Sequence, residues 1–113
     1  MRKLFHQPEA DLKKVFSEEW RRAKRELNPL LNGIKIPRLF VANLHSRGNH
    51  RGGKNALAFK MNGRWIRASH IITLSTKILS DKEQVTATIR HEICHVLEQN
   101  HGYRFKQLVK LLN

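Results

Sequence analysis

The apolar positions change period along the chain. Between residues 8 and 27 they recur three and four apart, at Leu12, Val15, Phe16, Trp20, Ala23 and Leu27, which predicts a helix with one buried side. Pro8 suits the first turn of that helix, where a backbone N–H is dispensable. Asn28-Pro29 ends it, because the proline ring disfavours helical backbone at the residue before it. Trp20 lies on the apolar stripe and is therefore expected in the core. The period then shortens to two. Residues 34–44 are expected to form a strand with Pro37 at an edge or an irregular start. Leu57, Phe59 and Met61 share one face of a strand over 56–61, Asn62-Gly63 predicts a tight turn, and residues 64–68 complete a hairpin. His70–Ser75 reads as a further strand and residues 76–79 as a short helical turn.

The helical period returns after that. Val85, Ile89, Ile93 and Val96 or Leu97 give a buried side to a helix expected over residues 81–99, with Ser80 and Glu83 as its capping box. A last amphipathic helix is expected over Tyr103–Leu112. The chain has no internal repeat, low-complexity run or linker, so residues 1–113 are expected to form one domain. The order of elements predicts an α+β fold. A three- to four-stranded antiparallel or mixed sheet would pack against an N-terminal helix, a second helix and a C-terminal helix.

Composition narrows the class. A chain 40% apolar and 27% charged has a globular balance. No apolar run is long enough to span a bilayer, so no membrane partner is expected. The basic N-terminus has no apolar segment behind it that would mark a secretory signal. One cysteine excludes an intrachain disulfide and a four-cysteine zinc site. These features together predict a cytoplasmic protein. The formal net charge of +13 suggests a polyanionic partner. Residues 1–60 carry 14 Lys or Arg against 5 acids, and residues 61–113 carry 8 against 4. The cluster on the first helix reads equally well as a solvated face. In the Gly-rich segment 45–55, Arg47, Arg51 and Lys54 are expected to lie along nucleic-acid phosphates. That contact, with DNA, would be backbone-driven and salt-sensitive.

The chemistry concentrates in His91-Glu92-Ile93-Cys94-His95, followed by His101-Gly102. Four helical residues advance about 6 Å and turn about 40°, so His91 and His95 can reach one ion from the same stripe. A catalytic zinc takes three protein ligands and keeps a fourth position open. His101 is the expected third ligand, provided the helix breaks after about Gln99 or Asn100. Asn100 and Gly102 both tolerate the left-handed turn that ends helices. Glu92 is placed as general base, and Tyr103 is a possible transition-state stabiliser, ahead of Arg104 and Arg90. Cys94 is read as a small buried thiol and Glu98 as a fallback ligand. His70 is read as structural, and His45 and His50 as solvent-exposed loop residues.

The stretches Ile72-Thr73-Leu74-Ser75, Thr88 to His95 and His101-Gly102-Tyr103-Arg104-Phe105 resemble the SprT-like group of zinc metallopeptidases, which includes Spartan. The ligand spacing is close to that of YgjP-like peptidases. The resemblance implies a small zincin-like domain, a bound Zn2+, cleavage of a protein or peptide substrate and, for the Spartan branch, digestion of proteins attached to DNA. Two departures stand out: no cysteine zinc ribbon is present, and the gap between His95 and His101 is short. The H-x3-H-x5-H spacing also resembles the YbeY family of endoribonucleases, but that family carries Gly where this chain has Glu92. A third reading is a basic nucleic-acid-binding module with structural zinc, which would want a fourth protein ligand that is not evident here.

Overall fold

A computed structural model describes residues 4–113. Helix α1, Ala10–Glu26, buries Phe16, Trp20 and Ala23, with Leu27 buried at its end. The stripe is the expected one, and Trp20 is a core residue. Glu9 occupies the N-cap, so Pro8 stands just outside the helix rather than in its first turn. Asp11 near the start and Lys24 and Arg25 near the end complement the helix dipole.

Four strands form a mixed sheet in the order β1-β2-β6-β3: β1 is Phe5–His6, β2 Arg38–Ala42, β3 Gly48–Gly52 and β6 His70–Ser75. β2 and β6 run parallel, and the two outer strands are antiparallel to their neighbours. β6 is buried at all six positions because both faces of the sheet are covered. Leu39, Val41, Ile72 and Leu74 meet the helices. On the opposite face, Phe40 and Ile71 lie beneath a separate hairpin of β4, Ala58–Met61, and β5, Arg64–Arg67. The result is three layers: helices, sheet and hairpin. The hairpin turn is Asn62-Gly63, as expected, with φ of 53° and 77°. The Asn62 side chain ties it to β1, accepting from the Phe5 N–H at 2.9 Å and donating to its carbonyl at 2.6 Å.

A single 3₁₀ turn, Thr76–Ile78, leads from β6 to helix α2, Lys82–Leu97. Ile89 and Ile93 are fully buried and anchor α2 to the sheet. Truncating either to Ala should cost about 2–5 kcal/mol. The cap is Asp81 rather than Ser80. Its carboxylate accepts the N–H groups of Glu83 at 3.1 Å and Gln84 at 3.2 Å. The hydrogen bonds from Gln84, side chain first, hold this exposed carboxyl below its ordinary pKa. A charged acceptor at the positive end of the helix outcompetes the neighbouring hydroxyl. Arg90 reaches across to α1, pairing with Glu19 at 2.6 Å and 3.4 Å. Helix α3, Tyr103–Leu112, closes the helical layer with Phe105, Leu108 and Leu112. No helix among the described residues is long and apolar enough to cross a membrane.

Segment 45–55 differs most from its expectation. Its middle is not a loop but the edge strand β3, paired antiparallel with β6 from Gly48↔Leu74 to Gly52↔His70. The glycines that made it read as a loop let the strand pack closely. A Cβ on Gly48 would stand 2.8 Å from Thr88 Cγ2 and 2.9 Å from the Thr73 carbonyl. Gly52 has φ of +128°, and a Cβ there would collide with the Ser69 carbonyl.

Candidate metal centre

β3 and β6 form the wall on which α2 rests, and α2 presents His91 and His95 on one stripe. The helix stops at Leu97, two residues sooner than expected. Neither Asn100 nor Gly102 takes the left-handed conformation. Glu98 turns the chain instead, with extended backbone at φ −141° and ψ 113°, and Gly102 serves as the N-cap of α3. This exit brings His101 back over the stripe.

The Nε2 atoms of the three rings converge, at 3.2 Å for His91–His95, 3.0 Å for His95–His101 and 3.2 Å for His101–His91. They are close enough to hold one metal ion. The turn at Glu98 also fixes a tautomer. Its carbonyl lies 3.0 Å from His95 Nδ1. A carbonyl can only accept, so Nδ1 carries the proton and Nε2 turns its lone pair to the centre. Burial, followed by the neighbouring His95 and His101, lowers the pKa of His91 and favours its neutral, ligating form.

Phe105 is the floor of the site. Its ring stacks on His95 with centroids 4.5 Å apart and meets His91 and His101 edge-on at 4.9 Å and 4.8 Å. Nothing in the apolar periodicity marks it out from Leu108 or Leu112. Its one sequence signal is its place in the His-Gly-x-x-Phe segment.

Glu92 is 5% exposed; its carboxylate has no hydrogen bond or ion pair among the described residues, and its oxygens keep some contact with solvent. Burial pushes its pKa up to about 7, so its protonated and charged forms are nearly balanced at neutral pH. Cys94 is fully buried, as expected, and is not among the residues whose ligand atoms converge. Burial, with the charge of Glu92 second, pushes its thiol up to about 12.

His50 needs a correction. It does not stand in a solvated loop but on β3, part-buried, with Nε2 2.8 Å from Nδ1 of the buried His70. Burial first, then His70 and His95, lower its pKa to about 4. The β3–β6 register makes this pair, so no linear spacing could have disclosed it. His45 is exposed, as expected.

The remaining expected residues do not gather at the centre. Tyr103 opens α3 with 77% of its surface exposed and makes no hydrogen bond to the histidines. Arg90 points to α1, Arg104 lies 3.9 Å from the Glu98 carboxylate, and Glu98 is not among the residues whose ligand atoms converge. Arg47, Arg51 and Lys54 are all exposed but do not share one loop. Arg47 precedes β3, Arg51 lies within it with its guanidinium 5.2 Å from the Phe59 ring, and Lys54 sits in the turn beyond. Compared with protein-family models, with curated proteins and with solved structures, the chain finds no match.

Proposed function

We propose that the chain is a zinc-dependent metallopeptidase, with His91, His95 and His101 as ligands and Glu92 as general base. One observation carries this reading: three imidazole nitrogens converge on one point, and the residue that follows the first of them in the chain is a buried carboxyl, Glu92. The donor set suits zinc. Tetrahedral zinc with bonds of 2.0–2.1 Å sets its nitrogens about 3.3 Å apart, close to the 3.0–3.2 Å between these rings. Three protein donors, none of them a thiolate, leave a position open, which argues for a hydrolytic site over a structural one. Bound zinc supplies a Lewis acid that makes water nucleophilic at neutral pH and polarises a carbonyl.

The chain's own groups do the rest. Glu92 takes a proton from the attacking water on a carboxylate oxygen and passes it to the leaving amine nitrogen. The Glu98 carbonyl holds His95 in its ligating tautomer. Phe105 packs against all three rings and braces them. Glu92 also favours a peptidase over the endoribonuclease suggested by ligand spacing, since a carboxylate beside the first ligand serves water-driven amide hydrolysis. The basic surface, with the SprT-like resemblance, supports DNA-associated proteins as the substrate class.

The test is Glu92→Gln in the zinc-loaded chain. It should keep its metal and circular dichroism while proteolysis of casein-like and DNA-bound substrates drops by about 10²-fold or more. Undiminished proteolysis in the variant, or metal-dependent cutting of RNA with no proteolysis by the parent, overturns the reading.

A further inference from the structure

The β4–β5 hairpin has two unlike faces. Phe59, Met61 and Ile66 pack inward on Phe40 and Ile71. Strand alternation turns Ala58, Lys60, Trp65 and Arg67 outward. Trp65 is 70% exposed, whereas the other tryptophan, Trp20, is 5% exposed. Lys60 stands directly across from Trp65 in the register, and Arg67 lies two residues along on the same face. Between Leu27 and Ser80 the sequence holds nine lysines and arginines and no aspartate or glutamate. The hairpin and the sheet beneath it therefore have no acidic residue of their own to balance their charge.

A flat, solvated ring set between cations and free of carboxylates suits a polymer that is planar and anionic by turns. Base–aromatic stacking needs only a π-face, and cations beside the ring track the phosphates. In a duplex those faces are already stacked on one another, so the ring selects an unpaired strand. Base faces and phosphates are common to both sugars, and DNA is taken as the strand because the proposed function places the chain on DNA-associated proteins. A single indole between two cations is also unlike a continuous apolar patch made for lipid. We infer that the outward face of the hairpin binds single-stranded DNA, stacking a base on Trp65 between Lys60 and Arg67. This sharpens the DNA side of the proposed function and is independent of the metal centre, so the two readings fail separately.

The test uses the full chain, with buried Trp20 as an internal reference. Oligothymidylate should quench the exposed part of the tryptophan emission, while inorganic polyphosphate should not. By anisotropy of a labelled strand, Trp65→Ala should weaken binding about tenfold or more, and Trp65→Phe should retain most of it. The Trp65→Ala salt slope should stay unchanged, whereas Lys60→Ser with Arg67→Ser should flatten it. Zinc content and proteolysis of a DNA-free peptide should be unaffected in all three variants. Undiminished binding by Trp65→Ala overturns the inference. So does equal affinity for duplex DNA or polyphosphate, or tenfold tighter binding of oligouridylate. An emission shift on anionic phospholipid vesicles but not on oligothymidylate also overturns it and assigns the face to a membrane.

Discussion

Glu92→Gln should make the metal-free protein more stable above neutral pH, by an amount set by burial. The carboxyl sits in a site where the residue is 5% exposed, and burial lifts its pKa from 4.5 to about 7. Its folded-state pKa therefore lies above its unfolded value. The group's contribution is fully present below pH 4.5, shrinks as the pH rises towards 7, and is lost above it, where folding must bury a charge. At 1.36 kcal/mol per pH unit, a displacement from 4.5 to about 7 corresponds to about 3 kcal/mol. Glutamine mimics the neutral acid at every pH. The variant should match the parent near pH 4 and exceed it by about 3 kcal/mol at pH 8, a large share of the roughly 5–15 kcal/mol typical of a domain. Urea unfolding in the presence of a chelator, run from pH 4 to 8 on both proteins, reads the difference directly. Equal stabilities at pH 8, or a gap that narrows as pH rises, would refute the claim that this carboxyl is buried without a partner.

Two further substitutions probe the frame around the site. Gly48→Ala should push β3 from α2, because the new methyl meets Thr88 and the Thr73 carbonyl; a loss of about 1–3 kcal/mol in urea unfolding is expected, and an unchanged midpoint counts against the close packing. Phe105→Ala removes the ring beneath all three histidines. It should cost about 3–5 kcal/mol and weaken metal binding in a chelator competition, whereas unaltered affinity would show that the ring supports the fold alone.

The sequence disclosed the elements whose apolar residues repeat with a clear period. The α1 stripe ending at Leu27, the anchors Ile89 and Ile93 of α2, and strand His70–Ser75 all follow it. The Asn62-Gly63 turn was legible because both residues accept positive φ. β3 was not, since an edge strand packed tightly on a helix uses glycine where periodicity looks for apolar side chains. β1 has two residues, too few for any alternation. At the site, the spacing of His91, His95 and His101 pointed to one centre, and the three rings do meet. The means of bringing them together escaped, because Glu98 bends the chain through ordinary extended backbone and leaves no glycine signal. The His50–His70 pair depends on strand register, and the floor made by Phe105 on how α3 returns across α2; both are tertiary facts.

X-ray absorption on the zinc-titrated chain at neutral pH tests the central claim most directly. One ion per chain, with three imidazole nitrogens at about 2.0–2.1 Å and no sulfur, is the predicted spectrum, and it should be lost in His101→Ala. A sulfur shell at about 2.3 Å from Cys94, or no bound ion at stoichiometric zinc, would contradict it.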